Sequence, residues 1–192
     1  MDPVMAETDR LAHFAVFHAL ESRSRGFFKS SQTEVCLKSC VEKMLERHSM
    51  VFGGMMVRLN IDREVNFREG FSEVAEELFR DAVSWSKIVA LFAFGARLGQ
   101  HCRQTGMGDL VEEVASSLAS FARERITPFV REEGGWVSNG HLTITNDNKP
   151  LFQSRLCSVF PQEEDYESQV WQGLVLVGVG LTLATIVMQA RR

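Results

Sequence analysis

No two of the four cysteines, Cys36, Cys40, Cys102 and Cys157, are spaced as Cys-x-x-Cys, so the usual local sign of a zinc site or a redox pair is missing. The N-terminus also lacks a basic-then-apolar leader. Together these absences lead us to expect a reducing, cytosol-facing domain. Basic residues are not in excess: 21 stand against 25 acidic ones, interspersed, for a net charge of −4. That leaves no basic stripe to meet phosphates, and nucleic acid is not expected as a partner. No paired carboxylates, no nucleophile beside its base and no metal-ligand cluster stands out, and His101 and Cys102 are adjacent, hence on different faces of any helix. Gly178-Val179-Gly180 follows no strand and is no nucleotide loop. We therefore expect no cofactor, no metal and no enzyme, although a site assembled from distant positions would leave no local sign.

What is present is helical pattern. The stretch Glu77–Leu98 organises the chain because it passes from a one-sided pattern to an apolar one. Phe71, Val74, Ala75, Leu78, Phe79 and Ala82 recur at helical spacing with charges between them, which predicts an amphipathic helix that covers something. From Ile88 to Ala96 every residue is apolar or glycine, so a helix there is greasy all round and must itself be covered. Ser84 or Ser86 can cap it, and Trp85 wedges the corner between the two helices. With 192 residues the chain fits one domain, able to bury about 70% of its unfolded surface.

A first helix is predicted from Thr8 to Glu21, with Thr8 as its cap and Leu11, Phe14, Ala15 and His18 on one face. We read His18 as a packed, hydrogen-bonded histidine rather than a ligand. Phe27 and Phe28 lie in a polar loop and are expected to tuck onto the core. Leu37, Cys40, Val41, Met44, His48, Val51, Phe52, Met55 and Met56 share one side of a long pattern from Thr33 to Leu59. Cys36 and Cys40, one turn apart, are expected to pack rather than to bond. The buried helix is expected from Trp85 to about Gln100, followed by a polar, glycine-punctuated connection from Gly99 to Gly108. Another helix begins near Asp109, and Pro128 starts or bends a segment. Gly134 or Gly135 can take the positive φ that ends it, with Trp136 as a large cap on the core. Between Ser138 and Asp165 the pattern is divided: His141–Thr145 alternates like a strand, and Asn146–Pro150 is turn chemistry.

The last element is an apolar run. Between Glu167 and Arg191 stand 23 uncharged residues, which as a helix span about 34 Å, near the thickness of a bilayer core. Trp171 suits one interface and the Arg191–Arg192 pair the other, giving a C-terminal membrane anchor over 166–192 and a helical domain over 1–165. The other reading is a C-terminal helix folded into a groove of its own domain.

Several of these residues carry a resemblance. ELFRDAVSWSKIVALFAFGARL resembles the first homology motif of the B-cell lymphoma two (Bcl-two) apoptosis regulators, whose core is Asn-Trp-Gly-Arg before an apolar helix. Here Ser84, Trp85, Ser86 and Lys87 keep the tryptophan and change the rest. Leu37, Cys40, Val41, Glu42 and Met44 resemble the third motif, with Val41 for its small glycine and Glu42 for its aspartate. Pro128–Trp136 resembles the second, with Val137 where an acidic residue is usual, and the first helix takes the place of the fourth.

The resemblance implies an all-α bundle around a buried central helix, with a C-terminal tail anchor. It implies a hydrophobic groove that receives an amphipathic helix from a pro-apoptotic relative. The matching lining residues are Met44, His48, Phe52, Met55, Leu78, Val89, Ala90, Leu91 and Phe94, with Lys87 in place of the arginine that pairs with the ligand's aspartate. It places the domain on the cytosolic side of the mitochondrial outer membrane or the endoplasmic reticulum, with a cytosolic pool and homo- or heterodimers compatible with it. A branched Val41 holds a helix off any groove it enters, so the third-motif segment suits the wall of its own groove better than a killer ligand. A survival-promoting regulator is the favoured reading; a pore-forming executioner of the same family and an unrelated tail-anchored adaptor are the alternatives.

Overall fold

Ser31 opens the α2 helix with a reciprocal cap, its hydroxyl accepting from Glu34 N–H while the Glu34 carboxylate accepts from Ser31 N–H. Local chemistry of this kind sets several of the helix ends in the computed structural model, which describes residues 2–19, 31–59 and 67–136. In these the elements are α1 (Pro3–His18), α2 (Gln32–Arg47), α3 (Ser49–Leu59), α4 (Phe67–Leu78), α5 (Trp85–Gln104), α6 (Leu110–Phe121), a π-helical turn (Ala122–Ile126) and α7 (Thr127–Glu132). All are helical, and no strand occurs among the described residues. Phe27 and Phe28, the division over 138–165 and the apolar run after Glu167 lie outside them; no helix among the described residues is long and apolar enough to cross a membrane.

Two expectations for α1 are corrected. Its cap is Asp2, whose carboxylate accepts from Val4 N–H at 3.0 Å, with Pro3 at the first helical position where no N–H is needed. Thr8 lies inside the helix and is buried. His18 is exposed at the helix end, its ring beside those of Phe14 and Phe17.

The long pattern from Thr33 to Leu59 proves to be two helices. His48, at φ −118° and ψ 29°, closes α2 and turns the chain into α3. Both pieces bury the same side against α5, so the apolar periodicity runs through the corner and hides it. Between α4 and α5 the cap is Ser84, in extended geometry, with its Oγ accepting from Lys87 N–H at 3.4 Å; Ser86 lies within the helix. α5 continues through Gly99 to Gln104, so more than half of the predicted connection is helix.

α5 is the centre. It touches α1, α2, α3, α4 and α6, and every residue from Ile88 to Ala96 is buried. Two glycines one turn apart set how closely the neighbours approach. A Cβ on Gly95 would lie 2.9 Å from Leu118 Cδ2 of α6, and one on Gly99 would lie 2.7 Å from Val16 Cγ1 and 3.1 Å from the Val16 carbonyl oxygen of α1. The same carbonyl accepts from Arg103 of α5 at 3.1 Å.

From Leu110 to Glu132 the chain is helical throughout, but the register widens at the π turn, where Thr127 N–H bonds the Ala122 carbonyl. Pro128 follows directly. It has no N–H to give, and its ring would crowd a carbonyl one α-turn earlier, so the wider turn carries the helix past it.

Gly99→Ala tests this packing. Overpacking against a backbone oxygen costs about 1–3 kcal/mol and the helix gains at most about 1 from alanine. A lower urea midpoint is expected, with a net loss of about 1–2 kcal/mol.

Candidate functional site

The residues matched to a groove come from several elements, and on α5 they do not share one face, since helical spacing puts Val89 on the far side from Lys87 and Leu91. Met44 comes from α2, His48 from the α2–α3 corner, Phe52 and Met55 from α3, Leu78 from α4, and Lys87, Val89, Ala90, Leu91 and Phe94 from α5. All except His48 and Lys87 are at most 5% exposed and belong to the single hydrophobic core. α3 and α4 each pack on α5, and they meet where Leu59 Cδ2 lies 3.3 Å from the place of a Cβ on Gly70.

Sequence reasoning missed two aromatic residues of this region. Phe71 of α4 stacks on Phe94 with ring centroids 5.7 Å apart, and Phe67 lies 6.1 Å from Phe71. The apolar stripe of α4 contained the signal for Phe71, but a stripe does not say which neighbour it meets. Phe79 of the same stripe turns to Phe121 of α6, at 5.5 Å.

The third-motif-like face points inward. Leu37 and Val41 are fully buried, Cys40 and Met44 nearly so, while Glu42 is exposed and pairs with Lys38 at 4.0 Å. Cys36, expected to pack rather than to bond, is buried and disulfide-bonded. Cys40 is in no disulfide, and burial pushes its thiol up to about 11, which makes it a poor nucleophile. Lys87 is half-buried at the start of α5.

The two motif tryptophans share a second cluster. Trp85 stands edge-on to Trp136 and to Phe129, at 5.9 and 5.5 Å, and Phe92 meets Trp136 at 5.9 Å. Gly134 and Gly135 adopt φ of 88° and 99°, ending the helix as their chemistry suggested and turning Trp136 into the core at 1% exposure. Its Nε1–H donates to Thr8 Oγ1 at 2.9 Å, and the Thr8 hydroxyl donates to the Val4 carbonyl at 2.8 Å. Thr127, buried beside them, shares its proton between Thr8 Oγ1 and the Ala122 carbonyl, both at 3.3 Å. The one available sign was that Thr8 falls on the same face as Leu11, Ala12 and Ala15.

A shallow polar depression lies elsewhere, lined by Glu73, Glu76, Glu77, Arg80 and Arg125. Its charges pair with each other, Arg80 with Glu77 and Arg125 with Glu76 at 3.8 Å. No group of acidic, histidine or cysteine side chains among the described residues is arranged to hold a metal.

Residues 37–136 match the family model of the apoptosis regulator proteins of the Bcl-2 family. The chain belongs to the Bcl-2 family. Among its relatives, Bcl-2-like protein 1 of Rattus norvegicus is 29% identical over 122 residues, 64% of this chain and 52% of that one. Bcl-2-related ovarian killer protein homolog B of Danio rerio is 29% identical over 101 residues, 52% of this chain and 48% of that one. The chain thus spans about half the length of the curated relatives it matches. The crystal structure of chicken BOK has the same fold, with a TM-score of 0.58 at 22% identity, covering 70% of this chain and 95% of that one. The family is one of apoptosis regulator proteins, and the described elements of this chain are all helical.

Thr8→Val keeps the volume and removes the acceptor of the buried indole. Leaving that donor unsatisfied costs about 1–3 kcal/mol, so the urea midpoint should fall, and Thr8→Ser should restore most of it.

Proposed function

We propose that this chain is a survival-promoting member of the family, holding the amphipathic helix of a pro-apoptotic relative against α5. The observation that carries the reading is the orientation of α2. Its third-motif-like face is spent on the core, and Val41 fills the position where a ligand helix needs a small residue. An α2 so placed serves as a wall of the site. α1, packed along α5 and α6, completes the bundle.

Recognition of this kind sets apolar anchors at helical spacing into pockets and fixes their register with one ion pair. Met44, His48, Phe52, Met55, Leu78, Val89, Ala90, Leu91 and Phe94 supply the apolar surface. Four anchors of about 1.5–3 kcal/mol each, less ordering costs, support submicromolar binding. The methionines Met44 and Met55 repack around different anchors and widen the range of partners. Lys87 meets the ligand's carboxylate as a point charge, without the planar two-pronged geometry of an arginine. Residues 166–192 anchor the helical domain of residues 1–165 in the mitochondrial outer membrane or the endoplasmic reticulum, with the domain facing the cytosol.

A second reading is favoured by two likenesses: one relative is named a killer protein, and the fold matches chicken BOK. On that reading the chain itself permeabilises the membrane. Family membership removes the unrelated adaptor.

Fluorescent killer-motif helices titrated with the full chain should bind submicromolar, and Lys87→Glu should weaken them at least about tenfold, the worth of a charge-assisted pair. Unchanged affinity would show that Lys87 has no such role. Added to isolated mitochondria, the chain should block cytochrome release; release caused by the chain alone establishes the executioner instead.

A further inference from the structure

α3 is greasy all round, as α5 is. From Met50 to Val57 every residue is apolar or glycine, so the helix has no polar side to give to water. Phe52, Met55 and Met56 point inward and are buried, with Val51 packed at the edge of the core. The opposite face carries Met50, Gly53, Gly54 and Val57, at the spacing of a single helical stripe. None of the described elements covers it. Met50 is 89% and Val57 78% exposed, and a Cβ on either glycine would meet nothing within 4 Å. Val35 is the only other large apolar side chain exposed among the described residues, so this pairing of two on one stripe is not ordinary surface scatter.

The size of the strip limits what can cover it. With 11 residues, α3 is a rod about 16 Å long and 10–12 Å across. Its outer face is under about 200 Å², well short of the roughly 800 Å² per partner in a stable protein interface. The exposed residues that precede it on α2, Glu42, Lys43, Glu46 and Arg47, are charged and do not widen it. A second copy or a separate protein is not held by such a strip alone. A bilayer is different, because the domain is tied to it. About 30 residues, 137–166, separate Trp136 from the anchor run, a reach of at most about 100 Å. A tether of that length holds the domain at a high effective concentration next to the lipid surface, so a contact through two side chains suffices.

We propose that the outer face of α3 is a membrane-contact surface. Met50 and Val57 enter the boundary between headgroups and acyl chains of the bilayer in which the chain is anchored, and the helix, too short to cross, lies in the plane. This rests on the anchor reading of residues 166–192 given above. The contact covers the apolar strip that the fold leaves open, and it turns the α2–α3 side of the bundle to the bilayer.

The test uses the full chain in phosphatidylcholine vesicles, with far fewer chains than vesicles so that copies do not meet. Benzoylphenylalanine placed at position 50 or 57 should form phospholipid adducts on irradiation, read by mass spectrometry. The same probe in place of Glu112, 67% exposed on α6, should form about tenfold fewer or less. With the probe at position 50, Val57→Glu should lower the adduct yield about tenfold, the order expected for one apolar side chain taken from the lipid, and Val57→Leu should keep it. Equal lipid adducts at positions 50, 57 and 112 overturn the proposal, since they report tumbling near the surface. Adducts to residues 166–192 in place of lipid overturn it and give the strip to the chain's own apolar run. Adducts between chains that replace lipid adducts at high density overturn it in favour of a second copy. A chain that stays with the vesicles through an alkaline wash but forms no lipid adduct at position 50 or 57 overturns the α3 contact alone. A chain that the wash releases overturns the anchor reading, and the contact with it.

Discussion

A helix with no polar face has to be enclosed, and the enclosure of α5 is the constraint on which the bundle depends. Five other helices lie against it. Enclosure needs close approach as well as coverage. α1 reaches α5 with the Val16 backbone near Gly99, and α6 reaches it with Leu118 near Gly95. Each missing side chain brings apolar surface together that a methyl group would hold apart. Since dispersion falls steeply with distance, a gap of an ångström forfeits much of the contact.

Around this apolar centre, polar groups fix the orientation of the outer helices. Thr8 lies deep enough to take the Trp136 indole proton, and Thr127 stands beside it, so one buried hydroxyl group joins α1, the π turn and the chain after α7. On the surface around it, Arg123 forms two contacts with Asp9, at 3.3 and 2.9 Å, and Arg131 pairs with Asp2. The exposed pairs contribute little each. The buried bonds matter more, because their loss leaves a donor dry.

Glycine has opposite consequences in two helices. In α5 it permits close contact with α1 and α6; in α3 a Cβ at Gly53 or Gly54 would meet nothing within 4 Å, so glycine there lowers helix propensity with no packing gain. The inward face of α2 is buried like the centre itself, with Leu37, Val41 and Met44 at most 4% exposed.

The sequence by itself determined what depends on neighbours along the chain. The all-apolar run marked α5 as buried, the one-sided pattern marked α4 as its cover, and Gly134–Gly135 before Trp136 marked a helix stop. Each follows from spacing or from one residue's conformational freedom. The homology-motif residues pointed to the family, and the burial of most of the matched side chains came only with the fold. The tertiary structure alone decided the corner at His48, the π turn ahead of Pro128, the burial of Thr8 and the pairing of Phe71 with Phe94. Thr8 and Trp136 are 128 positions apart. A hydroxyl that caps a helix and one that receives a distant indole are the same residue type at the same spacing, and only the folded distance separates them. Periodicity reports which side of a helix is dry, but not which partner dries it.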